Sequence, residues 1–184
     1  KVIYTKMRLF LIILAAGNGK RLKSKIPKPY MLLNNRSILE HSINAFKDFS
    51  EIKKTVVVYN KKHKKYLNKL NLKGIIKVSG GKNRQLSTFN ALKKIKKMKC
   101  DKVLIHDAAR PNTSNKLIYN LIKKLKTKNA VVPIIKSNDA VKRVKKNVIF
   151  KNINRNSLRF SQTPQGFTFK KIYEKHKKNS KVLI

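Results

Sequence analysis

A short glycine-containing loop follows the first apolar run of the sequence. Residues 14–22 read Leu-Ala-Ala-Gly-Asn-Gly-Lys-Arg-Leu, and Lys28 follows between two prolines. Glycine lets backbone N–H groups approach phosphate oxygens, and Lys20, Arg21 and Lys28 supply the positive charge that a triphosphate needs. The spacing is not the dinucleotide pattern, because Leu22 stands in place of the third glycine, and it is not the Walker pattern. A glycine turn on a lysine-rich surface is the alternative, so the loop alone indicates only a phosphate cradle.

A second motif, His-Asp-Ala-Ala-Arg-Pro at residues 106–111, follows the fourth apolar run. Ligands of open α/β sheets lie beyond the carboxyl ends of the strands, so this motif is predicted to face the same crevice as the glycine loop. Asp107 is one of only seven acidic residues. We interpret it as an unpaired carboxylate that holds a ribose hydroxyl or helps to place a metal ion. His106 is interpreted as a packed or turn histidine without a catalytic role.

Two further polar segments are candidates for binding. Gly80 and Gly81 enter a helical segment that contains Ser87, and their amides and this hydroxyl could contact the edge of a base. A plain helix-capping turn explains the glycine pair equally well. Neither Asn-Arg-Asn at residues 154–156 nor the polar run at residues 161–167 has a spacing that assigns it a role.

The elements that must position these motifs follow an alternating pattern. Apolar runs predict strands at residues 9–15, 55–59, 75–78, 102–106 and 130–134. Segments with apolar side chains on one face predict helices at residues 38–49, 61–70, 84–98, 115–126 and 168–178. This alternation is typical of βαβ units, and we therefore predict an α/β fold with a Rossmann-like, mostly parallel sheet flanked by helices.

Residues 136–161 depart from this alternation. Two short β segments, at residues 141–145 and 148–153, flank the turn-prone pair Lys146 and Asn147. We predict that they form a β-arm that protrudes from the α/β body.

The chain is strongly basic. Of its 184 residues, 47 are Lys or Arg and 7 are Asp or Glu, which gives a formal net charge of +40. Such a balance is typical of nucleic-acid-binding proteins. However, only eight of the basic residues are arginine and the lysines run the whole length, whereas a dedicated face would concentrate charge and use arginine forks. We favour a general enrichment in lysine, with non-specific affinity for polyanions and no specific nucleic-acid partner.

The single cysteine, Cys100, excludes an internal disulfide and a cysteine-based zinc site, and it favours a reducing compartment, the cytoplasm. Basic residues 1–8 and apolar residues 9–16 resemble a signal peptide, but the apolar run also has the length of a buried strand, which its glycine-rich continuation favours. No run reaches the roughly 18 apolar residues of a membrane span, so we expect no membrane partner. Met7 is a candidate natural start.

Seven motifs, taken in order, resemble the 2-C-methyl-D-erythritol 4-phosphate cytidylyltransferase family. They lie at residues 14–22, 27–28, 38–42 (Ile-Leu-Glu-His-Ser), 106–111, 139–143 (Asp-Ala-Val-Lys-Arg), 154–156 and 162–165 (Gln-Thr-Pro-Gln). Each motif alone is weak, but the ordered set is specific and covers about residues 9–169. The resemblance implies one nucleotidyltransferase domain over residues 1–184, of the nucleotide-diphospho-sugar transferase type, with its arm at about residues 136–161.

The resemblance also implies an activity, the Mg²⁺-dependent transfer of a cytidylyl group from CTP to methylerythritol phosphate in non-mevalonate isoprenoid biosynthesis. Arg21 and Lys28 match the family's transition-state stabilisers, and Arg155 matches an arginine that positions the sugar phosphate in the partner subunit of a homodimer. Asp107 and Arg110 match crevice residues near the ribose and the substrate. Nucleotide contacts are implied for Ala15, Ala16, Gly17, Gly81 and Ser87, together with Gly19 of the phosphate loop. Mg²⁺ is expected to be held mainly by the CTP phosphates, with Asp107 as a candidate ligand.

Three departures from the family pattern qualify these expectations. Ala140 stands where the family has a threonine that holds the substrate phosphate, and Lys82 replaces an acidic residue after the glycine pair. The family has a further section after the position of Ile184, which carries a threonine-and-aspartate motif and a lysine, so we expect the chain to be a fragment or part of a longer, fused enzyme.

Three other functions stay open from the sequence. A ribitol 5-phosphate cytidylyltransferase is a close alternative, although the Ala-Ala-Gly start, Ala109 and the Asn-Arg-Asn arm favour the erythritol family. The others are a basic nucleic-acid-binding module and an inactive fragment that still binds nucleotide.

Overall fold

A central six-stranded sheet organises the chain in the computed structural model, which describes residues 7–17, 19 and 24–180. The strands are β1 (Leu9–Ala15), β2 (Leu32–Leu33), β3 (Arg36–Ser37), β4 (Ile52–Tyr59), β5 (Ile76–Ser79), β6 (Lys102–Asp107), β7 (Ala130–Val131), β8 (Ile134–Lys136), β9 (Val141–Lys145), β10 (Val148–Ile153), β11 (Arg159–Ser161) and β12 (Gln165–Thr168). The α-helices are α1 (Ile38–Asn44), α2 (Lys64–Leu67), α3 (Arg84–Ile95), α4 (Asn115–Leu125) and α5 (Phe169–Ser180).

The strand order in the central sheet is β5-β4-β1-β6-β12-β7. The pairings of β1 with β4, β1 with β6 and β4 with β5 are parallel, and only β12 runs antiparallel to its neighbours β6 and β7. The chain therefore moves from β1 outward to β5 and then returns to β6 on the other side of β1. This reversal creates a crevice at the carboxyl ends of β1 and β6, which is where open α/β sheets bind ligands.

The apolar run at residues 9–15 forms the buried central strand rather than a free leader-like segment. Six of the seven residues of β1 are buried, as expected for a parallel strand covered on both faces. Alternate side chains enter two cores. Leu9, Leu11 and Ile13 pack with residues of α1 and α4, whereas Phe10 and Ile12 pack with residues of α3 and α5.

Side-chain caps set the starts of α1, α3 and α4. Ser37 and Glu40 form a capping box at α1, in which Ser37 Oγ accepts from the Glu40 amide at 3.1 Å and Glu40 Oε2 accepts from the Ser37 amide at 2.8 Å. The side chains of Asn83 and Ser114 cap α3 and α4 by accepting from the amides of Leu86 and Leu117. No helix within the described residues combines the length and apolar character needed to cross a membrane.

Several predicted boundaries were wrong for physical reasons. The strand predicted at residues 130–134 is split into β7 and β8 around Pro133, which has no N–H to donate to a ladder. The helix predicted at residues 61–70 is a 3-10 turn followed by the four residues of α2. A continuous helix would bring Lys61 close to Lys64 and Lys65, three and four positions away, and like charges at these spacings repel one another. The helix predicted at residues 38–49 ends at Asn44 and continues in turns that bury Phe46.

The largest omission was β12, which lies in the polar run at residues 161–167 that had no assigned role. Gly166 allows this strand to enter the sheet, since a Cβ there would lie 3.0 Å from Leu125 Cδ2 and 3.3 Å from Leu104 Cδ2. Glycine is thus the residue that fits between the sheet and α4.

The predicted β segments at residues 141–145 and 148–153 are confirmed as β9 and β10. They form an antiparallel hairpin whose turn residues, Lys146 and Asn147, both have positive φ, at 45° and 63°. Such values are typical of a two-residue turn that matches the twist of the strands. The neighbouring β8 and β11 form a second antiparallel pair, so the arm pairs with itself and not with the central sheet.

Candidate active site

A cavity of about 620 Å³ opens at the carboxyl ends of β1 and β6. Its walls come from the loop after β1, from the turn between β5 and α3, and from the loop after β6. The lining residues are Leu14, Ala16, Gly17, Gly19, Lys28, Pro29, Gly81, Lys82, Asn83, Arg84, Ser87, Asp107, Ala109 and Arg110. The cavity has the size of a nucleotide site.

The loop after β1 supplies backbone at one wall. Gly19 has a φ of +60°, a conformation that favours glycine, and it lies close to the backbone of Lys28. Lys28 opens a 3-10 turn, Lys28–Tyr30, whose end is anchored because Tyr30 is buried. Lys28 itself is half-buried at the cavity wall. Arg21 lies outside the described residues.

An aromatic cluster holds the 3-10 turn that carries Lys28. The ring of Tyr30 stacks on that of Tyr66 at a centroid distance of 5.6 Å and meets the edge of His63 at 6.1 Å. The Tyr66 hydroxyl donates to the Lys25 carbonyl at 3.4 Å. Burial, with a smaller contribution from Tyr59, raises the pKa of Tyr30 to about 12, so this side chain stays neutral. The cluster fixes the segment at both sides of Lys28.

The glycine pair allows the turn after β5 to approach the loop after β1. A Cβ at Gly80 would lie 2.5 Å from Ala16 Cβ and 3.0 Å from Ser87 Oγ. The Gly81 amide donates to Ser87 Oγ at 3.0 Å, and Ser87 is only 3% exposed. The cap of α3 is supplied by Asn83, whose Oδ1 accepts from the Leu86 amide at 2.8 Å. The two glycines therefore allow the turn after β5 to lie close to the loop after β1. Their contact with a base remains a prediction.

The interpretation of Asp107 as an unpaired carboxylate was wrong. Its Oδ1 accepts from Arg84 Nε at 3.3 Å and from Arg84 Nη2 at 3.2 Å. Its Oδ2 lies 3.7 Å from Arg110 Nε. The carboxylate thus lies between two guanidinium groups, one from α3 and one from its own loop.

His106 has the structural role expected of it. The ring is fully buried, packs edge-on against Phe46, and makes hydrogen bonds of 3.0 Å with the Arg110 carbonyl and 3.1 Å with Thr163 Oγ1. Burial lowers its pKa, so the ring is neutral near pH 7. The Asp107 amide also donates to Thr163 Oγ1, at 3.3 Å. The polar run that spacing could not explain therefore fastens the loop after β6.

Most of the predicted site residues meet in this cavity. Those that line it are Ala16, Gly17, Gly19, Lys28, Gly81, Ser87, Asp107 and Arg110. Ala15 is fully buried in the core and does not line the cavity. Arg155 lies on the arm, where its Nη1 donates to the Asn138 carbonyl at 2.8 Å. Their proposed roles remain predictions.

Sequence reasoning missed Arg84, which contributes a guanidinium to the cavity. The rarity of arginine in this chain was an available signal, because only eight of the 47 basic residues are arginine. A lysine-rich chain that retains arginine at a helix start favours a fork-shaped contact there.

The donor set fits a metal ion held mainly by phosphates. The described residues contain no group of three or more His, Cys, Asp or Glu side chains that could hold a metal. Asp107 is the one carboxylate among the described lining residues. Magnesium keeps several water molecules and binds one or two carboxylates together with substrate phosphates, which agrees with this sparse set.

Comparisons with known proteins decide the family. A family model of 2-C-methyl-D-erythritol 4-phosphate cytidylyltransferase matches residues 9–182. The chain is 38% identical over 178 residues to the 2-C-methyl-D-erythritol 4-phosphate cytidylyltransferase of Clostridioides difficile, with 92% of this chain and 75% of that protein covered.

The chain belongs to the 2-C-methyl-D-erythritol 4-phosphate cytidylyltransferase family. It is also 45% identical over 168 residues to the bifunctional enzyme IspD/IspF of Pelagibacter ubique, with 91% of this chain but only 45% of that protein covered. The solved 2-C-methyl-D-erythritol 4-phosphate cytidylyltransferase of Francisella tularensis superposes with a TM-score of 0.79 at 31% identity, covering 96% of this chain and 81% of that one. Family membership and the predicted α/β fold class are thereby confirmed.

Proposed function

We propose that this chain forms the cytidylyltransferase site that transfers a cytidylyl group from CTP to 2-C-methyl-D-erythritol 4-phosphate. The observation that supports this most directly is that the loop after β1, the turn between β5 and α3 and the motif after β6 line one cavity. Among the described residues, four cationic side chains line it, Lys28, Lys82, Arg84 and Arg110, against the one carboxylate of Asp107. Such a charge balance suits a triphosphate and a phosphate acceptor together.

In the proposed reaction, a phosphate oxygen of methylerythritol phosphate attacks the α-phosphorus of CTP. The bond from that phosphorus to the bridging oxygen breaks, and pyrophosphate leaves with its electron pair. Phosphoryl transfer depends mostly on positioning and on neutralising charge, which are the roles proposed for the backbone around Gly17 and Gly19 and for Lys28. Arg21 is proposed as a second cation. Mg²⁺ bound to the CTP phosphates would supply further neutralisation.

Base recognition is proposed for the wall formed by Gly81 and Ser87. The Ser87 hydroxyl is buried beside the cavity, where it accepts from the Gly81 amide at 3.0 Å and donates to the Gly81 carbonyl at 3.5 Å. The second contact is long, so the hydroxyl can turn its proton to an acceptor on a base. Lys82 follows on the same turn and lines the cavity, so it supplies charge where the family pattern has an acid.

A homodimer is part of the proposal. The hairpin of β9 and β10 exposes a run of large apolar side chains, with Val148, Ile149 and Phe150 each more than half exposed. Exposed apolar groups of this kind are typical of a surface that another chain covers. Arg155, on the same arm, does not line the cavity of its own chain. We propose that it reaches the cavity of the partner subunit and holds the acceptor phosphate there.

The direct test is release of pyrophosphate from CTP. The protein, expressed with whatever sequence follows Ile184 in its gene, is incubated with CTP, Mg²⁺ and methylerythritol phosphate. We expect release that requires all three components, with formation of diphosphocytidyl-methylerythritol confirmed by mass spectrometry. Absence of product, with CTP still bound, would instead support the inactive nucleotide-binding fragment.

Acceptor choice is tested with ribitol 5-phosphate in the same assay. We expect a much lower kcat/KM with this acceptor, and equal use of both acceptors would contradict the proposal. We also propose a cytoplasmic location, supported by the single buried cysteine, Cys100, which needs no oxidising compartment.

A further inference from the structure

Arg84 joins two walls of the cavity through Asp107. It is the first residue of α3, and its guanidinium makes two contacts to Asp107 Oδ1, from Nε at 3.3 Å and from Nη2 at 3.2 Å. Asp107 ends β6, so this pair connects the turn after β5 with the loop after β6.

The position of Arg84 is set by its backbone. Asn83 caps the helix, and the Thr88 hydroxyl donates to the Arg84 carbonyl at 2.9 Å. Ser87, three residues further along the same helix, is buried beside the cavity. Asp107 could therefore move relative to the wall formed by Gly81 and Ser87 only if its hydrogen bonds with Arg84 were broken.

The two arginines change what Asp107 can bind. Arg84 takes Oδ1, and Arg110 lies at 3.7 Å from Oδ2. A divalent cation at this carboxylate would be repelled by two nearby positive charges or would have to displace one of them. A hydroxyl group carries no net charge and needs only one free lone pair, which a carboxylate retains after such contacts.

We propose that Arg84 is a positioning residue that reserves Asp107 for a sugar hydroxyl of the nucleotide and excludes a divalent cation from it. This inference rests on the proposed function for the identity of the nucleotide, and it goes beyond that function by assigning sugar recognition and metal exclusion to one residue. Mg²⁺ then binds through phosphate and water rather than through Asp107.

The test uses Arg84→Gln, which removes the charge, and Arg84→Lys, which keeps the charge but removes the fork. Arg8→Gln is the matched control, since Arg8 makes a comparable exposed contact to Asp101, at 3.5 Å, before the other end of β6. Calorimetry compares the binding of CTP, 2′-deoxy-CTP and 3′-deoxy-CTP with Mg²⁺ and without an acceptor. Electron paramagnetic resonance measures the binding of Mn²⁺ without nucleotide.

In the native chain and in Arg8→Gln, we expect CTP to bind about tenfold more tightly than at least one deoxy analogue, as for loss of one charge-assisted hydrogen bond. Arg84→Gln should reduce this ratio to about two or less. It should also tighten Mn²⁺ binding by about tenfold, because one repelling charge is gone. Arg84→Lys should lose sugar discrimination but keep the weak Mn²⁺ binding.

Two results would overturn the inference. One is unchanged sugar discrimination in Arg84→Gln, and the other is Mn²⁺ binding to the native chain that is as tight as to Arg84→Gln. Failure of the proposed function is distinguishable from both, since the native chain would then not bind CTP at all, while the Mn²⁺ measurement would still report on Asp107. Thermal unfolding of each variant checks that the fold is retained.

Discussion

Lys28 is held at the cavity wall by a short turn whose other end is anchored in the core through Tyr30. Anchoring the backbone of Lys28 in this way places its ammonium group where it can stabilise charge that develops in a transition state. We expect Lys28→Ala to lower kcat by about a hundredfold or more, as for removal of a preorganised charged donor, and to change the Kd of CTP by only a few-fold. Pyrophosphate release and calorimetry measure the two quantities. Lys25→Ala, an exposed change in the same segment, is the control, and equal turnover in the two variants would remove Lys28 from the chemistry.

Gly80 lies where this site leaves no room for a side chain. An added Cβ would lie 2.5 Å from Ala16 Cβ and 3.0 Å from Ser87 Oγ, so the turn after β5 would have to move. We expect Gly80→Ala to lower the free energy of unfolding by about 1–3 kcal/mol and to weaken CTP binding.

Gly17→Ala is the matched control for Gly80→Ala, because a Cβ at Gly17 meets nothing within 4 Å and its φ is not positive. Urea unfolding should therefore leave Gly17→Ala within about 1 kcal/mol of the native chain. Equal losses in the two variants would show that close approach at Gly80 is not the cause.

Among the elements, the hairpin of β9 and β10 carries the clearest expectation. Its Phe150 side chain is 55% exposed on a run of apolar neighbours. We expect Phe150→Asp to convert a dimer to monomer in sedimentation velocity experiments, because a charge would be buried without a partner at the interface. Tyr119→Asp, at a residue that is 58% exposed on α4, is the control and should leave the assembly unchanged. A native chain that is monomeric at every concentration would contradict the dimer itself.

The strands differ in how well the sequence predicts them. β1 was predicted with its observed bounds, since a run of apolar residues ending in glycine has few other uses. β12 was missed because its letters, Gln-Gly-Phe-Thr, carry no apolar alternation. Its place in the sheet depends on α4 and on the absence of a side chain at Gly166, which are tertiary facts.

The site shows the same division. The loop after β1 and the motif after β6 were expected to meet, because the rule on strand ends needs only strand order. The partners of Asp107 were not predicted, since Arg84 is 23 residues away and reaches it only through the packing of α3 against the sheet. Sequence motifs thus located the cavity, whereas the ion pairs of Asp107 could be identified only from the fold.

Across the whole molecule, the formal charge of +40 affects every encounter with a polyanion. Because the lysines are diffuse, we expect binding to duplex DNA without sequence preference, and an affinity that falls steeply and linearly with salt on logarithmic axes. Fluorescence anisotropy with two unrelated duplexes between about 50 and about 300 mM salt measures both properties. A preference for one duplex that persists at high salt would favour the nucleic-acid-binding module.

The chain has only seven acidic residues, and ordinary Asp and Glu residues titrate near pH 4. Histidine is therefore the main source of the pH dependence of stability between about pH 5 and 7. Burial lowers the pKa of His106, His63 and His176 below the ordinary value of 6.5. The unfolded chain therefore binds more protons than the folded chain in this window, and the free energy of unfolding falls as the pH falls from above 6.5 through the lower folded pKa values.

His106 should account for a large part of this pH dependence, since its ring is fully buried. We expect His106→Gln to be less stable than the native chain at pH 7.5 but to lose less stability between pH 7.5 and 5.5, because one titrating group has gone. Urea unfolding at three pH values gives the two slopes. His41→Gln, which removes a histidine that is not buried in the core, should keep most of the native slope. If His106→Gln and His41→Gln have the same slope as the native chain, protonation of His106 is not what destabilises the fold in acid.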